Sequence, residues 1–271
     1  MNQPASPLAE PTAWNLVTDG YVSENVPHFT LYATDVVRMA GIGAGSKVGD
    51  IACGPGTLSF VAANAGAEVL ALDFAEHMIA HLHERVAREQ QTRITATVGD
   101  GQHLPWPDGQ LDATFSMFGL MFFPDRASGF REMHRVLKPG GRTYVTSWVP
   151  LDRAPVIAAL FESIQEALPG MPFSAGKAPL GELAELETEL TQSGFRDVRT
   201  QTLTHVLHVE SLETFWQSVL KSLAPLVLMR HRMGEAFAPF AAKVFANLKT
   251  HLPSGPVHVE MTANLGSGAK P

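Results

Sequence analysis

Only one cysteine, Cys53, occurs in the chain. No disulfide can form within it, and no thiolate cluster can hold a metal. The first eleven residues are polar and proline-rich, without the apolar core of a signal peptide. No apolar run approaches membrane-spanning length. These absences predict a soluble, cytoplasmic protein with no membrane partner. Disorder bias is missing as well, since 45% hydrophobic and 17% charged residues are globular proportions. The net charge of −7 leaves no basic face for a nucleic-acid partner. From Leu212 to Pro271, six Lys/Arg stand against three Asp/Glu, so this stretch is +3 and the rest −10. A solvated helical face explains that; a site favouring an anionic substrate is the sharper alternative. No internal repeat is visible.

What is present is an alternation of strands and helices. At 271 residues the chain fits one domain with an elaboration. Residues 1–11 read as a loose tail and 12–271 as the domain. Apolar spacing from Thr12 to Ala40 predicts two helices broken at Pro27. A short strand from Lys47 then runs into the turn Ala52-Cys53-Gly54-Pro55-Gly56, with Thr57 expected to cap the next helix, which ends at Gly66. Further strands are expected at Glu68–Asp73, Ile94–Val98, Leu111–Met117 and Arg142–Trp148, with helices over 75–90 and after Pro124. Such spacing means a parallel sheet with right-handed crossovers. Beyond Trp148 the rhythm changes. Helices are expected over 154–168, over 180–192 and across 212–250 with breaks near Pro225, Gly234 and Pro239; strands over 197–209 and 257–265; and a loop over 169–179.

The glycine turn alone is weak, because two glycines after a strand can be a mere connection. It gains weight from Asp50, Asp73 and Asp100, all at the ends of consecutive strands, where an open α/β sheet has its crevice. Asp is also common there as a cap. Asp73 is placed to accept both hydroxyls of a ribose, and Asp100 to hold an adenine amine. A dinucleotide enzyme remains an alternative, yet its usual third glycine is replaced by Ser59. Asp50 beside the turn suits a cationic amine better than a pyrophosphate, which favours S-adenosylmethionine over NAD.

Asp50-Ile-Ala-Cys-Gly-Pro-Gly56, Leu72-Asp73-Phe74, Val98-Gly-Asp100-Gly101, Leu104-Pro-Trp-Pro-Asp108, Leu111-Asp-Ala-Thr-Phe-Ser-Met117 and Arg135-Val-Leu-Lys-Pro-Gly-Gly141 follow in order. The series resembles the class I S-adenosylmethionine-dependent methyltransferases over about residues 12–200, and most of all the small-molecule branch of the ubiquinone/menaquinone C-methyltransferases. The resemblance implies a Rossmann-like doubly wound seven-stranded sheet whose last strand returns antiparallel beside the fifth. It adds a helical lid from about 12–40, 151–180 and 212–252. Ala52, Cys53, Gly54 and Gly56 would wrap the methionine part of the cofactor. Asp73 would take the ribose, with Phe74 beside the adenine and Met78 in the same pocket. Asp100 and Gly101 would meet the adenine amine, and Ser116 and Met117 the methionine end. Tyr21 is the aromatic expected to close over the cofactor. Gly49 departs from the group, which usually has a bulky apolar residue there, and is expected to soften the packing behind the turn.

The activity implied is in-line transfer of a methyl group from S-adenosylmethionine to a hydrophobic or aromatic small molecule, leaving S-adenosylhomocysteine. Signatures of amino-methylating, metal-dependent catechol and arginine enzymes are absent after the fourth strand, which continues as Phe118-Gly119. Phe115, Phe118, Met121, Phe122 and Phe123 read either as core or as an apolar wall for the acceptor. His28 is the first candidate base, ahead of His205, His208 and His231. His77 and His81, one turn apart, lack a third metal ligand, so no metal is expected. An NAD(P)-dependent oxidoreductase and a non-catalytic cofactor-binding interaction protein are the alternative readings.

Overall fold

Strands whose residues are apolar on both faces need helices on both sides, and this chain supplies them. The computed structural model describes residues 6–169 and 178–271. Its elements run α1 (Pro11–Gly20), a π-helical turn (Tyr21–Asn25), α2 (Val26–Met39), β1 (Lys47–Ile51), α3 (Thr57–Asn64), β2 (Glu68–Asp73), α4 (Glu76–Arg88), β3 (Ile94–Val98) and β4 (Leu111–Met117). Then come α5 (Arg126–Val136), β5 (Leu137–Trp148), α6 (Pro155–Ala167), α7 (Leu183–Gln192), β6 (Arg196–Val209), α8 (Leu212–Ser222), α9 (Ala224–Met233), α10 (Phe237–His251) and β7 (Val257–Ala269). The seven strands lie in the order β3-β2-β1-β4-β5-β7-β6. β1 to β5 pair in parallel, and β7 runs antiparallel between β5 and β6. The doubly wound sheet with its antiparallel last strand is therefore as expected. Strand order reverses between β1 and β4, which fixes the crevice at their carboxyl ends.

Period-two alternation sorts the core. Val48, Val69, Ala71 and Phe115 face α2, α3 and α4, against Val36, Leu58, Phe60 and Leu82. Ile51, Leu72, Leu111 and Val145 face the other way, onto Phe130 and Met133 of α5 and Leu186 and Leu190 of α7. A third cluster joins α6, α8 and α10 to the far ends of β6 and β7 through Leu160, Trp216, Val244 and Val259. These helices form the added layer.

Several boundaries differ from expectation, each for a local reason. Thr57 does not cap α3; Gly56, at φ +81°, is the N-cap and no side chain caps the helix. β5 begins at Leu137, because Leu137 already pairs with Leu111 before residues 138–141 bulge out and Arg142 pairs with Ala113. Gly140 N–H donates to Lys270 O and Lys270 N–H to Gly141 O, so the end of β7 stitches that bulge. α7 starts at Leu183 rather than 180, since Leu180 is left-handed (φ +57°) and its carbonyl accepts from the Ser147 hydroxyl. Pro27 and Pro225 sit in first turns, where a missing N–H costs nothing. Pro239 also lies in the first turn of α10 and makes no break; the chain turns at Gly234 instead. Residues 7–9 form a 3-10 turn whose Leu8 carbonyl accepts from Trp14 Nε1. Gly49 leaves no slack, because a Cβ there would stand 2.8 Å from Trp106 and 2.7 Å from Leu111. Those side chains fill the space, and the packing behind the turn is firm. The expected loop over 169–179 falls mostly outside the described residues, as do residues 1–5. No described helix is long and apolar enough to cross a membrane.

Candidate cofactor and acceptor site

At the end of β1 the backbone enters the left-handed region three times, at Ala52 (φ +56°), Gly54 (+54°) and Gly56 (+81°). Glycine meets that demand without strain; Ala52 meets it at a cost, of the kind that collects at functional turns. Gly56 is also pressed by α4, since a Cβ there would lie 2.4 Å from Leu82 Cδ1. Cys53 N–H donates to Leu72 O (3.0 Å) and Gly56 N–H to Cys53 O (3.0 Å), which fixes the loop against β2. Cys53 itself is buried.

Asp73 closes the loop from the other side. Its Oδ2 accepts from Gly54 N–H (2.8 Å) and its Oδ1 from Ala75 N–H (2.9 Å). Burial pushes its carboxyl up to about 6, with those donors pulling the other way. Each oxygen keeps a lone pair for an outside hydroxyl. Asp50 is 1% exposed and accepts from the Ser59 hydroxyl at 2.6 Å. Burial raises it to about 7, and the charge of Asp73 adds to the rise. Ser59 was legible only as a missing glycine, yet it donates the hydrogen bond that keeps Asp50 satisfied.

The third carboxylate stands apart. Asp100 is about half exposed and is held below the usual range by donors from Gln102 and His103, against some burial. Gln102 N–H donates to its Oδ1 at 2.8 Å. Beside it Gly101 is buried, and a Cβ there would meet Phe123 at 2.4 Å.

Tyr21, Phe74 and Met78 come together in one apolar cluster with Trp14, Val227 and Leu228, so α1, the π turn, α4 and α9 share this corner. Tyr21 is carried by the π turn, a distortion frequent at functional sites. Its hydroxyl is pushed up by burial and then by the charge of Asp73. His77 is turned to α1, where its backbone N–H donates to Asn15 Oδ1 (3.1 Å) and its Nδ1 lies 3.1 Å from Asn15 O. Among the described residues no three His, Cys, Asp or Glu side chains form a metal-sized group.

At the end of β4, Ser116 is buried and its Oγ accepts from Leu120 N–H (3.1 Å), while Met117 is half-buried. Phe118 adopts φ +60° and donates its N–H to Thr146 Oγ1 (3.0 Å). The apolar wall is not one surface. Phe115 is core, stacked on Tyr144, and Met121 packs into the α5 side of the sheet. Phe122 meets Trp14 and Phe123 meets Gly101, whereas Phe118 stacks on Trp148 at 4.0 Å. Phe29 links the two halves, with ring centroids 5.7 Å from Tyr21 and 5.1 Å from Phe118.

Behind this aromatic corner stands His28, 6% exposed, with no partner for Nε2 among the described residues. Burial pushes its pKa down, and His205 lowers it further. His205 Nε2 lies 3.0 Å from Asp35 Oδ2, a pair 170 positions apart that no local pattern announces. His208 sits 2.7 Å from His258 between β6 and β7 and belongs to another face. A depression of about 410 Å³ lined by Pro155, Glu162 and His251 shares no residue with the glycine turn. Backbone donors, buried acids and aromatic cover converge at the glycine turn.

A family model described as a methyltransferase domain matches residues 49–145. An uncharacterized protein of Mycobacterium tuberculosis is 36% identical over 113 residues, 42% of this chain and 41% of that one. The chain thus spans about two-fifths of the length of such relatives. A demethylmenaquinone methyltransferase of Corynebacterium glutamicum is 32% identical over 174 residues, 59% of this chain and 72% of that one. Among solved structures the cyclase SpnF superposes with a TM-score of 0.61 at 18% identity, covering 99% of both chains. That last likeness concerns the fold, which by itself names no reaction.

Proposed function

The chain belongs to the class I S-adenosylmethionine-dependent methyltransferases, in their menaquinone-type group, and from that premise we propose that it transfers a methyl group to a hydrophobic, ring-bearing small molecule. The residues present fit the cofactor. The left-handed turn leaves its backbone free of side chains at Gly54 and Gly56, Asp73 keeps acceptor capacity on both oxygens, and Tyr21, Phe74 and Met78 supply apolar cover beside them. Asp50, buried next to the turn, would face an ammonium group and repel a pyrophosphate, which weighs against the oxidoreductase alternative. When bound, S-adenosylmethionine supplies a methyl group already activated on a sulfonium. The protein's own task is then to orient the acceptor and exclude water, and positioning of that kind contributes roughly 7–11 kcal/mol.

The aromatic corner of Phe29, Phe118 and Trp148 carries the acceptor reading, because it adjoins the exit of β4 and connects to Tyr21 through Phe29. His28, neutral and with Nε2 unpartnered, is the group there able to take a proton from an acceptor hydroxyl. Calorimetry with S-adenosylhomocysteine tests the cofactor half. Binding tighter than millimolar is expected, and Asp73→Ala is expected to weaken it by about tenfold to hundredfold, the size of one or two lost charge-assisted hydrogen bonds. An unchanged affinity in folded Asp73→Ala removes the ribose assignment. Transfer of labelled methyl from the cofactor to an acceptor excludes the non-catalytic alternative.

A further inference from the structure

Leu207 and Val209 of β6, with Val257 and Val259 of β7, face the layer of α6, α8 and α10. The alternating residues His208, His258 and Glu260 therefore stand on the opposite side of the ribbon, where all three are exposed. His208 and His258 are direct partners in the β6–β7 register, so their side chains rise from neighbouring backbone positions. Their Nδ1 atoms converge to 2.7 Å, with ring centroids 4.8 Å apart and planes at 76°. Fifty residues separate the two in sequence, and only the sheet brings them together. One ring must donate its Nδ1–H to the other. The pair stands where the chain leaves the sheet toward α8 and where it comes back from α10. Carboxylates flank it: Glu260 pairs with Val206 on the same face, and Glu210 follows the end of β6. Neither strand carries a lysine or arginine from Thr200 to Val209 or from Val257 to Ala269.

We propose that His208 and His258 form a two-histidine site for a divalent transition-metal ion, which ties β6 to β7 where α8 departs and α10 returns. The site is separate from the cofactor crevice and does not rest on the transferase reading. Imidazole nitrogens suit zinc, copper and nickel, whereas calcium and magnesium take oxygen ligands. Two nitrogens held about 2.0–2.1 Å from a tetrahedral zinc stand about 3.3 Å apart, so the 2.7 Å pair opens by about 0.6 Å. That is a small rotation for exposed rings. When both are neutral, the ring with its proton on Nδ1 moves it to Nε2 through solvent, and the metal takes the two freed lone pairs. No proton is lost and no oxidation state changes. Among the described residues no third His, Cys, Asp or Glu completes the set, so water fills the remaining positions. Paired strands hold both ligands before the ion arrives, and this sets them apart from His77 and His81, since His77 Nδ1 is turned to Asn15 O. A bound ion bridges the two ends of the α8–α10 segment and opposes its local opening.

Calorimetry of the untagged full chain with zinc chloride tests the site. One equivalent should bind with an affinity near micromolar. His208→Asn and His258→Asn should each weaken it by about a hundredfold, because either ring alone loses the gain of a second, tethered ligand. His258→Thr serves if an asparagine variant does not fold. Copper(II) chloride, added below one equivalent to chain carrying nitrogen-15 histidine, should broaden His208 and His258 first and together. In His208→Asn, His258 should broaden no more than the exposed His231. Saturating zinc should also slow amide exchange in α8 and α10. Native-like zinc affinity in the folded single variants, or copper broadening spread evenly over the exposed histidines, overturns the site. Exchange unchanged at saturating zinc overturns the tie between the strands. S-adenosylhomocysteine affinity, measured on the same samples, should be equal with and without zinc; its failure to bind at all bears on the transferase reading alone.

Discussion

Ser59 shows how much a single hydroxyl governs here. It is the one side-chain donor to Asp50 among the described residues, and it opposes the rise that burial imposes on that carboxyl. Ser59→Ala should therefore raise the Asp50 pKa further and leave the acid less ionised near neutrality. If Asp50 faces the ammonium of the ligand, S-adenosylhomocysteine should bind more weakly in this variant at pH 7, by roughly tenfold, and recover at higher pH. Calorimetry at pH 7 and pH 8.5 checks it; a loss equal at both pH values would assign Ser59 to packing. In the native protein the same logic makes affinity fall as pH drops through about 7 and then about 6, where Asp50 and Asp73 take up protons. Asp50 and Asp73 were legible because strand-end acids next to a glycine turn are a local pattern. Ser59 and the Asp35–His205 pair were not, because their meaning is set by a partner that only the fold supplies.

Among the elements, the N-terminal helices carry the least obvious constraint. Gly20, the last residue of α1, lies so close to α8 that a Cβ would stand 2.0 Å from Lys221 O. Within a helix Gly→Ala ordinarily gains about 0.5–1 kcal/mol, whereas forcing two backbones apart costs about 1–3 kcal/mol. Gly20→Ala should thus be destabilising, and the sign decides. Its urea midpoint should fall, with Tyr21 displaced from Asp73 and ligand affinity falling with it; a rise would mean that α1 and α8 do not meet this closely. Strands β2, β3 and β4 were readable to the residue because each is a short run rich in β-branched and apolar residues, set off by turn or helix-breaking residues on at least one side. β5 was not, since Lys138-Pro-Gly-Gly141 looks like a terminator and acts as a bulge held by Lys270 from the far end of the chain. The helices after Leu212 were legible as helices, but Pro239 misleads because a proline in the first turn stops nothing.

For the molecule as a whole, two buried acids with raised pKa values set a pH dependence of stability. Unfolded, these carboxyls titrate near 3.8; folded, near about 7 and about 6. Between those values the folded chain holds more protons than the unfolded one, so stability falls as pH rises from about 5 to about 7. The lowered carboxyls of Glu132, Asp112 and Asp100 act in the opposite sense below that window, and His28 and His134, pushed down by burial, oppose the two acids within it. Urea midpoints at pH 5.5 and pH 7.5 should therefore favour the lower pH, and saturating ligand should flatten the difference. A midpoint that rises with pH across this range would show that Asp50 and Asp73 are ionised and compensated in the free protein.

Helices α8, α9 and α10 leave the sheet after Val209 and return to it at Val257, and those two residues are paired directly across β6 and β7. Topologically, residues 210–256 are the loop of a hairpin, and closing a longer loop adds little entropy cost. The segment is therefore an interchangeable cassette. A chimera that replaces it leaves every register of the parallel strands untouched, and its coupling to the nucleotide side runs through α9, packed with Tyr21, Phe74 and Met78, and through α8, where Lys221 O abuts Gly20 and Ser222 O accepts from Asn25 Nδ2. Exchange of this one insert can therefore leave the parallel sheet intact, provided that the faces of α8 and α9 that meet α1 and the π turn are kept.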